Sequence, residues 1–195
     1  CNVTCTASAT TTPSNSVYVT TVAPIASFPW NEGFETLPGA VGTTTFPTCW
    51  VEAAGTQWAT SNAAFTTYND PRTGSNYLTV QYGGSAATVW TPGFALTAGQ
   101  VYDFSGFWVG DNTAGWTSTE IVVNTTPSAT GLTVLGASLT SGAVAPAQTY
   151  SAFSRQYTCT VTGTYHFGLR STSTGVPWYL GFDDLSLSVV PQCAG

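Results

Sequence analysis

The chain has no lysine and no methionine, and its only cationic side chains besides one histidine are Arg72, Arg155 and Arg170. Nucleic acid binds through clustered Lys and Arg that neutralise its phosphates. A chain with three arginines and a net charge of −6 is excluded from that class. Without lysine, Schiff-base chemistry and intramolecular isopeptide cross-links are also excluded. The single histidine, His166, stands between Tyr165 and Phe167, a setting for a packed ring rather than a general base. Neither a Gly-x-Ser-x-Gly elbow nor a Walker loop occurs, so the local signatures of two large enzyme groups are missing. Glu32 and Glu35 are too close in sequence to define the opposed carboxylates of a glycosidase cleft. No apolar run approaches the roughly 18 residues of a membrane-crossing helix.

Charged residues amount to 6% of the 195, against about 25% in ordinary domains. Thr, Ser, Gly, Asn and Gln carry the polarity instead, which suits hydrogen bonding and close packing more than electrostatic steering. Hydrophobic residues make up 43%, enough for one core in a single domain of this length. Five cysteines, at 1, 5, 49, 159 and 193, fit an oxidising compartment and lack zinc-ligand spacing. Cys49 and Cys159 both lie in apolar, strand-like sequence. A bridge between them is expected, with two buried free thiols as the alternative. The chain reads as a mature or excised piece of an exported protein, and Cys1 as either a lipid-anchor cysteine or a fragment boundary. Asn2-Val3-Thr4 and Asn124-Thr125-Thr126 match the N-glycosylation pattern.

Residues 1–27 have the Thr, Ser, Ala and Pro content of a spacer, with one strand-like stretch at Ser16–Val22. Beyond Phe28, short β-branched and aromatic runs alternate with Gly, Pro and Asn. Three hairpins are predicted: Tyr77–Tyr82 with Ala86–Trp90, Val101–Val109 with Trp116–Val123, and Tyr157–Val161 with Tyr165–Arg170. Trp178–Val190 reads as a long closing strand. No sustained helical period occurs, so the fold class is all-β: a sandwich of two antiparallel sheets over residues 28–190, followed by a tail at 191–195.

Four of the nine acidic residues form two clusters, Asn31-Glu32-Gly33-Phe34-Glu35 and Phe182-Asp183-Asp184. Strand alternation puts Asp183 with Leu185, Leu187 and Val189, and Asp184 with Phe182 and Leu180, so one aspartate starts at the rim of a core. A jelly roll brings first and last strands together, gathering Glu35 with the pair. Gathered carboxylates repel unless protonated or bridged by a cation. The polar loop from Asn69 to Asn76 offers further oxygens, and Ca2+ accepts such mixed ligands. In the competing reading Asp70 and Asn76 make turn hydrogen bonds and Arg72 pairs with one of the acids.

The order of Phe28-x-Trp30-Asn31-Glu32-Gly33-Phe34-Glu35, Pro47-Thr48-Cys49-Trp50, Trp58, Gly74-Ser75-Asn76-Tyr77-Leu78, Trp90–Leu96, Phe107–Asn112, Ile121–Val123 and Leu180–Leu187 resembles bacterial cleaved-adhesin domains and the related MAM and choice-of-anchor modules. The resemblance implies a jelly roll. It also implies calcium held by Glu35, Asp70, Asn76, Asp183 and Asp184, in a surface-exposed, non-catalytic module. Gly33 stands where the family pattern has an acid, and the cysteines depart from the MAM arrangement.

Three ligand classes follow: a host or matrix protein, a glycan, or neighbouring copies of the chain. For a glycan, Trp108, Trp116 and the Asp111–Asn112 turn are the candidate stacking surface; core packing is the competing role of most tryptophans. For self-assembly, residues 16–22 of one subunit would add to a neighbour's sheet edge in a filament or surface layer.

Overall fold

Alternation within strands decides which side chains meet, and the aromatic residues of this chain meet between two sheets. The structure is a computed structural model, described for residues 22–37, 46–53, 57–61, 69–83, 86–140, 149–175, 177 and 179–192. The strands are β1 (Trp30–Glu32), β2 (Val51–Ala53), β3 (Trp58–Ser61), β4 (Tyr77–Gln81), β5 (Ala87–Trp90) and β6 (Phe94–Leu96). They continue with β7 (Val101–Val109), β8 (Trp116–Asn124), β9 (Thr133–Val134), β10 (Ser151–Thr158), β11 (Gly163–Ser173) and β12 (Tyr179–Val189). One sheet runs β10-β7-β12-β4-β3 with β1 also on β12; the other runs β2-β5-β11-β8-β9 with β6 also on β11. All the strand pairs are antiparallel. Within the described residues the all-β sandwich expected from the sequence is present, with no helix.

The two sheets lock through aromatics. Phe104 of β7 stacks on Phe167 of β11 at 5.0 Å between centroids, and around them Phe182, Phe153, Trp58, Leu78, Leu185 and Leu187 are buried. Such aromatic pairs add about 0.5–1.5 kcal/mol beyond their area.

None of the three expected hairpins forms. β4, β7 and β10 lie in the first sheet, whereas β5, β8 and β11, their sequence successors, lie in the second. Each connection is an arch across the sandwich. Period-two patterning reports which face of a strand is apolar, not which strand lies beside it. Ile25, assigned to the spacer, joins the sandwich through a bridge to Phe94, with hydrogen bonds Ile25 N to Gly93 O and Ala95 N to Ile25 O, both 2.8 Å. Residues 1–21, including most of the strand-like stretch, and Trp178 and Cys193 lie outside the described residues.

The expected Cys49–Cys159 bridge is corrected: both are free thiols. Cys159 follows β10 in the first sheet and is buried, its thiol donating to Val161 O at 3.1 Å. Cys49 precedes β2 in the second sheet.

Candidate functional site

The acid clusters meet where β12 changes neighbours. β4 pairs with Tyr179–Phe182 of β12, and β1 pairs with Leu185–Leu187. Between these two stretches lie Asp183 and Asp184. On the other side of β12, Asp183 pairs with Phe107 and Ser186 with Ser105, so Asp184 and Leu185 both oppose Gly106. This is a β-bulge, and Asp184 takes the left-handed conformation it needs, with φ of 49°. The bulge shifts the alternation by one: Leu180 and Phe182 face the core before it, Leu185 and Leu187 after it. Gly106 makes the room, because a Cβ there would stand 2.6 Å from Leu185 Cδ2. The strict alternation expected from the sequence fails at this point.

The bulge aims both aspartates at the loop from Asn69 to Asn76. Asp183, fully buried, accepts at Oδ2 from Arg72 N (2.8 Å) and Thr73 N (3.1 Å), and at Oδ1 from Asp184 N (2.8 Å). Asp184 accepts from Arg72 Nη1 (2.5 Å) and Thr73 Oγ1 (2.7 Å). The Arg72 guanidinium lies 3.4 Å above the Phe107 ring, a cation–π contact. Burial pushes the Asp183 carboxyl up to about 6, against the opposing pull of its backbone donors.

Glu35 grips the other end of the loop. Phe34 has φ of 61°, which drops its ring into the core and throws Glu35 outward. Glu35 Oε1 accepts from Asn76 N (2.8 Å) and Ser75 N (2.9 Å). Gly74, at φ of 64°, is required: a Cβ would sit 2.4 Å from the Glu35 carboxyl carbon. Glu32 accepts from Phe34 N at 2.7 Å, and burial moves its carboxyl above the usual range.

Glu35, Asp183 and Asp184 thus hold one loop from two sides but do not form one ligand set. Asp70 is exposed and contributes its carbonyl, which accepts from Tyr150 OH at 2.8 Å. Asn76 is buried and donates from Nδ2 to Leu37 O at 3.4 Å. Among the described residues no three Asp, Glu, His or Cys side chains are gathered as metal ligands. The acid oxygens point at backbone N–H groups and at Arg72, so the five residues do not fit a shared calcium ion in this arrangement. Arg72 supplies the counter-charge assigned to an ion from the sequence. Arg72 pairs with Asp184 as the competing reading had it, whereas Asp70 and Asn76 make long-range contacts, to Tyr150 and Leu37, rather than turn hydrogen bonds.

The expected stacking surface is also corrected. Trp116 is 2% exposed and belongs to the core, and Trp108 packs against that core. Asp111 is buried and structural, accepting from Tyr179 N (2.8 Å) and from Thr113 N and Oγ1 (3.2 and 2.6 Å). Of the four candidate residues Asn112, at φ of 68°, is the exposed one.

A different surface lies on the outside of the first sheet. Pairing registers align Ser154, Ser105, Ser186 and Asn31 across β10, β7, β12 and β1, and beside them Gln156, Asp103 and Ser188. Ser154 Oγ donates to Asp103. Phe107, two residues along β7 from Ser105 and carrying the Arg72 guanidinium over its ring, flanks the row on the side away from Asp103. The signal was legible as the polar residues alternating with Phe153, Phe104 and Leu187, but the alignment depends on register.

No family model matches the chain, and no curated protein matches it. Solved structures do. The K2 cleaved-adhesin domain of Lys-gingipain superposes with a TM-score of 0.62 at 13% identity, covering 82% of this chain and 99% of that one. The K1 cleaved-adhesin domain of Lys-gingipain from Porphyromonas gingivalis W83 gives 0.59 at 14%, covering 85% and 100%. A xylan-binding CBM22 domain from Paenibacillus barcinonensis gives 0.52 at 15%, covering 88% and 100%. At these identities the likeness establishes the jelly-roll fold.

Proposed function

We propose that the chain is a non-catalytic binding module of an exported bacterial surface protein, and that its ligand is a glycan held on the outer face of the first sheet. The observation that carries this reading is the in-register row Ser154, Ser105, Ser186 and Asn31. Strands about 4.8 Å apart repeat hydroxyl and amide groups on the scale of sugar hydroxyls, and the low charge suits a neutral ligand. The xylan-binding domain and the two adhesin domains of similar fold support a binding role without identifying the ligand. Among the described residues Glu35, Asp111, Asp183 and Asp184 are engaged in structural hydrogen bonds, which favours binding over catalysis.

A glycan array with the wild type and a Ser105→Tyr/Ser186→Tyr variant tests it. The variant is expected to lose at least tenfold in binding with its melting temperature within about 2 °C, since both sites face outward. Full binding by the folded variant, or no glycan bound by the wild type, defeats the reading.

Calcium is not required in this reading. Melting curves with and without chelator are expected to coincide, because Arg72 and backbone donors already satisfy the acids; a large chelator-induced drop, with calcium found by elemental analysis, restores the sequence-based expectation.

One feature favours a second reading, a filament or surface-layer subunit. Among the described residues β10 pairs only with β7, leaving eight residues of sheet edge open to strand addition. Loss of polymers on deleting residues 1–21, which leaves Ile25 in place, would support it when measured by light scattering; a monomeric full chain removes it.

A further inference from the structure

The second sheet carries a cavity of about 370 Å³ that neither reading uses. Its walls are the Val22–Ile25 segment, Thr48 and Cys49, Pro92 and Gly93, and Thr164 and His166. The size falls at the small end of the roughly 300–1,000 Å³ of small-molecule sites. The polar groups are few and placed by identifiable causes. His166 Nδ1 lies 2.9 Å from Thr91 O. A carbonyl only accepts, so Nδ1 carries the proton, and in the neutral ring Nε2 is the acceptor. Gly93 keeps that nitrogen open: a Cβ there would stand 3.4 Å from Nε2, 3.3 Å from Cε1 and 2.7 Å from Thr164 Cγ2.

Cys49 shares the cavity. The turn Pro47-Thr48-Cys49-Trp50, closed by Trp50 N to Pro47 O at 3.1 Å, holds Cys49 at φ of 69°. A non-glycine residue in this conformation is uncommon. Cys49 is half-buried, in contrast to the sealed Cys159. Val22, 68% exposed, stands on the rim.

We propose that this cavity is a binding site for a small apolar molecule that carries one hydrogen-bond donor, the donor meeting His166 Nε2 and the apolar body lying against Ile25, Pro24 and Pro92 beside the Cys49 thiol. The acceptor-only nitrogen selects the donor, and the aliphatic walls select the body. Charged ligands are disfavoured, since among the described residues no Asp, Glu, Lys or Arg lines the cavity.

The test uses the full chain and two matched probes, 4-ethylphenol and ethylbenzene, which differ by the donor hydroxyl. Saturable binding of 4-ethylphenol is expected by ligand-observed NMR, about tenfold tighter than ethylbenzene, the size of one net hydrogen bond. His166→Phe is expected to bring the two probes to equal affinity. Gly93→Ala is expected to abolish both while the melting transition persists, which keeps the test valid if His166→Phe folds poorly. Iodoacetamide labelling of Cys49, located by peptide mass, is expected to slow when 4-ethylphenol is bound. Equal affinity for the two probes in the wild type, no saturable binding, or binding unchanged in Gly93→Ala each overturns the proposal. A Cys49 that resists alkylation in the native chain without probe also overturns it, because the chain's own residues then fill the cavity.

Discussion

The loop over the first sheet and the cavity on the second are built from similar materials and reach opposite ends. At the loop, Glu35, Asp183 and Asp184 accept from five backbone N–H groups, from the Arg72 guanidinium and from Thr73 Oγ1. At the cavity, one imidazole nitrogen is satisfied by Thr91 O and the other faces open space beside a free thiol. Acids that close on their own backbone hold structure; groups that face an unfilled volume are free to meet a ligand. A sandwich with three arginines uses one of them, Arg72, to make the first arrangement self-sufficient.

The largest effect is expected at Asp183. Asp183→Ala leaves the N–H groups of Arg72, Thr73 and Asp184 without their acceptor, and is expected to cost about 3 kcal/mol at pH 7 by urea unfolding. A loss below about 1 kcal/mol would show that the loop is not held by this carboxylate. The pH effect comes next. The Asp183 carboxyl is raised in the folded state from 3.8 to about 6, so the native chain holds a proton that the unfolded chain releases between those values. Its ionised form burdens the fold above pH 6 and the burden lifts as pH falls towards 4, a stabilisation of up to about 3 kcal/mol. Subtracting the Asp183→Asn stability curve from the wild-type curve isolates it; a difference that grows in the opposite direction refutes the sign.

Arg72→Ala should cost about 1 kcal/mol, since its ion pair and ring contact are partly exposed. A tenfold rise in protease cleavage within residues 69–76 is the companion readout. His166→Phe should be the mildest, no more than about 1 kcal/mol in thermal melts, because at the cavity wall it removes only the Nδ1 bond to Thr91 O. A large loss there would make the two regions alike and end the contrast.

Much of this was legible residue by residue. The low charge, the turn residues and the alternating runs point to an all-β sandwich; the two acid clusters, expected to gather with the loop from Asn69 to Asn76 around one cation, flank that loop but accept from its N–H groups and from Arg72. The bulge was not legible. Phe182, Asp183, Asp184 and Leu185 read as plain alternation, and only pairing with Gly106 reveals that two residues face one. Trp116 was indistinguishable from an exposed platform because a tryptophan at a strand start suits either role.

The all-β fold class was already present in the residues taken one after another, because composition and period act through local chemistry. Tertiary structure alone decided that β4 and β5, β7 and β8, and β10 and β11 part into facing sheets, that Arg72 rather than a gathered ligand set answers the acids, and that Cys49 and His166 share a cavity. Those outcomes depend on register and on which strand lies beside which. A period of two does not encode either, since it fixes the face of a side chain and leaves its neighbour to the packing of the whole.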